Sequence, residues 1–344
     1  MRRIQPVSNN IYGVDLGTRN LKVFSKSIGK VFNEKNTVAI KGKDRLYAYG
    51  DRAYDMYEKV PEEISIKFPI SKGVIADYNF MQTMLYEFLE KNTKGKVRGA
   101  EFVVAVPADI TEVEERAFFD IFYKSSLKSK LVLLCKKPIA DAVGLGLDVN
   151  QPTGIMVVDF GADTTEISVI SLGGLVISSL LDFGGNRIDE SILNFIKKNF
   201  SLVIGQKSAM SLKESLASGI GGNTDSAVVV GRNLVSGLPV EMEVTAETVN
   251  EAIKGDLNSI CNSIKMILER TPPELAKDII HDGIYITGGG SQIRDLDTLF
   301  TEITGIKVNT CDMPEETAAR GLVKIVSDPK YRHLAYSKKT RILE

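Results

Sequence analysis

The chain has 344 residues, 43% hydrophobic and 25% charged, enough apolar content for a buried core in two or more domains. Its 43 Lys and Arg against 44 Asp and Glu leave a formal net charge of −1, so no global field gathers nucleic acid and no nucleic-acid partner is expected. Three widely spaced cysteines argue against a disulfide framework and two histidines against a structural zinc site; with no signal peptide and no apolar run of about 18 residues, a cytoplasmic protein with at most peripheral membrane contact is expected.

Residues 11–32 read as two β-rich runs joined by a turn at Leu16-Gly17-Thr18-Arg19-Asn20. Short strands and one helix fill 33–65. Apolar residues spaced by three and four predict an amphipathic helix over 78–92, and "EFVVAVP" at 101–107 a buried strand closed by proline. Over 109–125 a helix is expected, with Thr111 as N-cap and Glu114 three residues on, the spacing of a capping box. "SKLVLLCKKP" gives another strand, and "IADAVGLGL" a helix whose small residues admit a second backbone. The second half starts again with strand–turn–strand at 155–171. Helices follow at 189–200 and 208–218, a strand-rich stretch at 226–245, a helix at 246–270, and at 283–300 a strand, a glycine turn and a helix. This alternation implies an α/β protein with parallel or mixed sheets.

Asp15-Leu16-Gly17 returns as Asp159-Phe160-Gly161, each inside a tight hairpin, which implies two related domains facing each other across a cleft. A hairpin tipped with Gly and small hydroxyl residues aims successive backbone N–H groups outward and makes an anion nest; Thr18, Thr164 and Thr165 add hydroxyl donors. Asp15 and Asp159 would repel a bare phosphate, but suit a hydrated Mg2+ lying between them. Gly288-Gly289-Gly290-Ser291, between a buried strand and a helix, would let a flat ligand approach the backbone at a helix N-terminus.

The set "VDLGTRN", "KKPIADAVGLGL", "MVVDFGADTTEISVISLGGLV", "FGGNRIDESI" and "PPELAKDIIHDGIYITGGGSQIRDLDTLF" resembles the actin-like ATPase superfamily, and within it the MreB family of bacterial actins. "GVIADYNFMQTMLYEFL" and "EETAARGLVKI" carry the likeness nearly end to end. The resemblance implies an actin-like (ribonuclease H-like) α/β fold: two related domains around a nucleotide cleft, each with an inserted smaller subdomain. Subdomain IA would comprise 1–32, 66–139 and 315–344; IB, 33–65; IIA, 140–181 and 251–314; IIB, 182–250. It implies ATP or ADP with Mg2+, and homopolymeric filaments. The metal would lie on Asp15 and Asp159, and the nucleotide on Gly17, Thr18, Arg19, Asn20, Lys22, Gly161, Ala162, Thr165, Met210, Lys213 and the 288–291 turn.

Several positions depart from the family pattern. Where the family reads Glu-Glu-Pro this chain reads Lys136-Lys137-Pro138, so Lys137 occupies the place of the water-positioning Glu, and a cation cannot accept the water's proton. Thr164 matches the water-coordinating threonine. If Lys137 points away, Asp163 takes over the catalytic work. Ala162-Asp163 stand where the family has glycines, and Met210 where it has a ribose-contacting Glu; a thioether is a poor acceptor. Lys213 is expected to pack along the nucleotide. Lys22 falls where actin has a phosphate-binding lysine; on the same strand face as Asn20 it would reach the β-phosphate, or else snorkel to solvent. The basic loop 91–98 and tail 330–341 would each attract anionic lipid, at roughly 1 kcal/mol per basic residue near the surface. The expected protein is therefore a filament former that binds Mg-ATP and hydrolyses it slowly or hardly at all. The alternatives are a non-polymerising ATP-dependent adaptor, like FtsA, and a small-molecule kinase of the same fold with Asp163 as base.

Overall fold

In the computed structural model of the chain, the described residues are 10–93 and 97–338. The first half runs β1 (Ile11–Leu16), β2 (Asn20–Ser25), β3 (Lys30–Lys35), β4 (Val38–Lys41), β5 (Arg45–Tyr49), α1 (Asp51–Met56), β6 (Ile64–Lys67), β7 (Ile70–Ser71), β8 (Val74–Ile75), α2 (Tyr78–Thr93), β9 (Glu101–Val106), α3 (Glu112–Tyr123), β10 (Leu131–Lys136) and α4 (Lys137–Gly144). It continues with β11 (Ile155–Phe160), β12 (Thr165–Ser171), β13 (Gly174–Leu181), α5 (Gly185–Phe200), β14 (Leu202–Val203), α6 (Gln206–Leu216), β15 (Ser226–Asn233) and β16 (Pro239–Thr245). The last elements are α7 (Ala246–Arg270), α8 (Pro273–Asp282), β17 (Ile284–Thr287), α9 (Leu296–Thr304), β18 (Val308–Asn309) and α10 (Thr317–Ser327). The chain divides into two compact units: Met1–Pro152, Ile170–Leu175 and Glu315–Glu344, so far as these are described, and Thr153–Val169 with Val176–Pro314.

The two units are built to one plan. In the first, a five-stranded sheet has the order β3-β2-β1-β9-β10, with β1, β9 and β10 parallel; in the second the order is β13-β12-β11-β17-β18, with β11, β17 and β18 parallel. Each thus joins three consecutive strands to two parallel ones, which is the repeat legible at Asp15 and Asp159. Each unit also carries a small three-stranded sheet, β5-β4-β6 in one and β14-β15-β16 in the other. Strands β1, β9 and β11 are buried along their whole length, as expected of strands covered on both faces. Helix α2 buries Met81, Met84, Leu85, Phe88 and Leu89, one stripe at helical spacing. The capping box of α3 is present: Thr111 accepts from the Glu114 amide and Glu114 accepts from the Thr111 amide.

Helix α10 lies against both β1 and α4, and a seam without side chains lets it in. A Cβ on Gly13 of β1 would run into the Ala319 carbonyl, one on Gly144 into the Thr317 carbonyl, and one on Gly321 into the Ala140 carbonyl. Beyond α10, Tyr336 exchanges both backbone hydrogen bonds with Leu134 of β10, at 2.7 and 2.9 Å. Glu115 of α3 accepts from the Tyr336 hydroxyl and pairs with Lys136 (3.1 Å) and Lys338. Burial alone would raise the Glu115 carboxyl; these donors outweigh it and hold it below its ordinary value.

Four readings of the sequence shift. Helix α4 starts at Lys137 rather than 139, because Pro138 suits a first helical turn, where its missing N–H has no partner to lose. Helix α5 starts four residues early, at Gly185, and α6 covers 206–216. After the glycines comes a single 3-10 turn, Gly289–Gln292, not an α-helix; α9 begins only at Leu296. Strand β13 and helix α8 lie outside the predicted elements; Pro273 stands in the first turn of α8, where its missing N–H costs nothing.

Gly321→Ala is expected to destabilise the fold by about 1–3 kcal/mol or more, the cost of overpacking against a backbone that cannot retreat. Gly255, in α7 with open space around its Cβ position, provides the opposite sign: Gly255→Ala should stabilise by about 0.5–1 kcal/mol. Thermal melts of the two variants check the pair.

Candidate functional site

In the first unit the site is the turn 17–19 with the side chains beneath it. Register makes Asp15 of β1 the cross-strand partner of Lys22 of β2, which is where opposite charges meet across an antiparallel pair. Asp15 is 3% exposed and Lys22 8%, and the Lys22 ammonium donates to Asp15 Oδ2 at 2.9 Å. At the head of α4, Lys137 brings its Nζ to 3.8 Å from Asp15 Oδ1. Its neighbour Lys136 turns the other way, to Glu115. Lys137 therefore faces Asp15, and Lys136 does not. Burial raises the Asp15 carboxyl, but Lys137 and Lys22 together overcome it and hold it below its ordinary value. Lys22 is therefore held inside against Asp15 and does not reach into solvent, which was one of its two sequence readings.

Asn36, fully buried between β3 and β4, holds the turn from below. Its Nδ2 donates to the Gly17 carbonyl at 2.8 Å and its backbone amide to the Arg19 carbonyl at 2.8 Å. Gly17 has no room for a side chain, since a Cβ there would lie 2.8 Å from the Asn20 carbonyl oxygen. Thr18 and Arg19 complete the turn between β1 and β2.

In the second unit, Gly161 to Thr164 form the matching turn, closed by the Gly161 amide donating to the Thr164 carbonyl at 2.9 Å. The start of α5 pins it. Gly185 donates its amide to the Gly161 carbonyl (3.0 Å), and Asn186 its amide to the Ala162 carbonyl (2.7 Å) and its Nδ2 to Asp163 Oδ1 (2.6 Å). Asp163 thus lies against the N-terminus of α5, where the dipole favours a carboxylate. Thr165 is buried and gives its hydroxyl to the Phe183 carbonyl at 2.8 Å, so it braces the turn. Lys213 on α6 has its ammonium on the Gly185 carbonyl (2.8 Å) and Asp189 (2.7 Å), which ties α6 to α5. Met210 lies one turn earlier on the same helix.

The glycine turn serves packing as much as approach. Gly288 has a positive φ of 81°, and a Cβ there would meet Asp159 Oδ1 and the Phe160 carbonyl; one on Gly290 would lie 2.5 Å from the Phe160 ring. Only Gly289 has open space at its Cβ position. Ser291 donates its hydroxyl to the Gly288 carbonyl at 2.7 Å. Asp159 lies on β11, opposite Thr287 of β17, whose buried hydroxyl has no hydrogen-bond partner among the described residues.

These environments separate the two expected metal carboxylates. Beside Asp159 an orphaned hydroxyl and a glycine cradle fit a polar or ionic ligand. Asp15 does not fit Mg2+: both of its oxygens face ammonium groups. Two unit charges of like sign about 4 Å apart repel by roughly 4 kcal/mol at an effective dielectric of 20, and a divalent ion doubles that.

Two sheets of one topology, each with an Asp-x-Gly hairpin turn braced from behind, define an actin-like protein, and solved structures agree. MreB5 of Spiroplasma citri bound to AMPPNP matches with a TM-score of 0.87 and 30% identity over 92% of this chain and 95% of that one. The MamK double helical filament matches with a TM-score of 0.75 and 26% identity, over 92% and 98%. The cell shape-determining protein Mbl of Bacillus subtilis is 38% identical over 312 residues, 90% of this chain and 93% of Mbl. The MreB/Mbl protein family matches residues 9–333, and the chain belongs to that family.

Asp15→Asn should leave Lys22 buried without its carboxylate and cost about 3–5 kcal/mol at neutral pH. The folded carboxyl titrates below its ordinary 3.8, so the stabilisation is complete above that pH and is lost as pH falls through the folded value. Urea unfolding of both chains should show the gap at about pH 7 and its narrowing near pH 3. A gap that persists unchanged in acid would show that the pair does not carry it.

Proposed function

We propose that this chain binds ATP and ADP and assembles into homopolymeric filaments that act in cell shape. The repeated hairpin turn, with Lys22 beneath one copy and the α5 N-terminus behind the other, carries the reading, since a turn of this kind with a cation or helix N-terminus beside it suits a phosphate. Support comes from relatives: one is named for cell shape, one is bound to AMPPNP and one forms a filament. The four-subdomain division belongs to the same proposal. Thr18, Arg19 and Asn20 in the first turn, and Gly161, Ala162 and Thr164 in the second, are the proposed phosphate contacts. Of the two expected metal carboxylates, only Asp159 enters.

Hydrolysis is slow in this reading because no carboxylate stands at Lys137, and Asp163 is engaged by Asn186. Cytoplasmic residence with weak attachment to anionic membrane remains part of the proposal; no helix among the described residues is long and apolar enough to cross a bilayer. Its basic groups are partly committed elsewhere: Lys330 pairs with Asp148 at 2.7 Å, Lys338 with Glu115 and Lys91 with Glu34 at 3.5 Å. Lys94 and Lys96 of the loop, and Lys339 and Arg341 of the tail, lie outside the described residues.

Pelleting and electron microscopy with ATP test assembly, and the absence of filaments in every nucleotide state would favour the adaptor reading. For hydrolysis, loss of a positioned acid–base group costs about 10²–10⁴-fold in rate. Lys137→Glu should therefore raise steady-state phosphate release, and Lys137→Ala should leave it nearly unchanged. A fast wild type that slows in Lys137→Ala would show that Lys137 assists the reaction.

A further inference from the structure

We propose that Asn36 is a positioning residue for the nucleotide: by holding the Gly17 carbonyl inward, its side chain aims the Thr18 amide outward at a phosphate oxygen. This rests on the nucleotide reading above and assigns what makes the first turn receptive. In a planar trans peptide the C=O and the N–H point in opposite directions, and the peptide bonds of this turn are trans. A carbonyl pinned to one side therefore sends the amide of the following residue to the other. Two carbonyls of the turn are pinned, both by Asn36. The Arg19 carbonyl accepts from the Asn36 backbone amide at 2.8 Å, one step beyond the Asn20–Lys35 pair that ends the β2–β3 ladder. Any residue with a backbone N–H would make that bond. The Gly17 carbonyl accepts from Asn36 Nδ2 at 2.8 Å, and that bond needs this side chain. The Asn36 Oδ1 has no partner among the described residues, and turning the amide over would set oxygen against the Gly17 carbonyl, so the donor end is the one in use. The anchor is itself held: Asn36 is fully buried, and the next residue, Thr37, accepts from the Gly50 amide at 2.8 Å, at the head of α1. The second turn reaches the same end by other means. There the Gly161 and Ala162 carbonyls accept from the amides of Gly185 and Asn186, which sends the Ala162 and Asp163 amides the opposite way. Amides turned outward in this manner make an anion nest. In the first turn a side chain does what a helix start does in the second.

Titration calorimetry of the full chain with ATP tests this on the wild type, Asn36→Ala and Asn36→Ser. A serine hydroxyl ends one bond short of the asparagine amide, so both variants lose the side-chain bond to Gly17 and keep the backbone bond to Arg19. Each should bind ATP about tenfold more weakly, the worth of a hydrogen bond to a charged group. Adenosine, followed by ligand-detected NMR, should bind all three chains alike to within about threefold, because it carries no phosphate for the turn to meet. A general loosening of the site would weaken both ligands together, so equal losses overturn the proposal. ATP affinity within about threefold of the wild type in a folded variant also overturns it. So does the failure of both variants to fold, which would make the bond a requirement of folding. In these outcomes the nucleotide reading stands. Absence of ATP binding to the wild type instead overturns that reading, and the proposal with it.

Discussion

Asp15 sits in a strand buried along its whole length, and a carboxylate there needs positive partners. Two arrive by different routes. Register brings Lys22 across the hairpin, so that partner is fixed as soon as β1 and β2 pair. Lys137 comes from the start of α4, and α4 is placed by α10, which approaches both α4 and β1 only because Gly13, Gly144 and Gly321 have no side chains. The backbone seam and the charge cluster are thus one construction. A methyl group added in the seam would move the head of α4, and with it a cation beside the turn at 17–19. Packing and electrostatics in this unit cannot be altered independently.

The two turns share a backbone design and differ in electrostatics. Beneath the first lie two lysines on one acid. Behind the second stands a helix N-terminus with Asp163 already against it, held by Asn186. A carboxylate at that spot meets the favourable end of the helix dipole.

Much of this was legible in the sequence. The Asp-x-Gly repeat gave the two-sheet plan, because a hairpin turn has a short, fixed signature; the α3 capping box was readable for the same reason. The pairing of Asp15 with Lys22 was not, although both residues had been singled out. Alternation along β2 says which face Lys22 occupies, but only the register says which residue faces it. Asn36 and Asn186 escaped because a single amide in a loop has no periodicity; its role lies in which carbonyl or carboxylate it meets. The glycines at 288–290 suggest room for a ligand; what the sequence does not show is that two of the three also make room for Phe160 and Asp159. A glycine reports that something is close without reporting what.

Strand β10 is the outer strand of its sheet, and Tyr336 occupies part of its free edge through two backbone hydrogen bonds, with Glu115 fastening the same segment by its side chain. An uncovered edge strand invites pairing with another chain. In the filament proposed above, order would depend on suppressing contacts that compete with the intended ones. The segment around Tyr336 works as a guard of that kind: it keeps a strand that any neighbour could extend from becoming a route to amorphous aggregate.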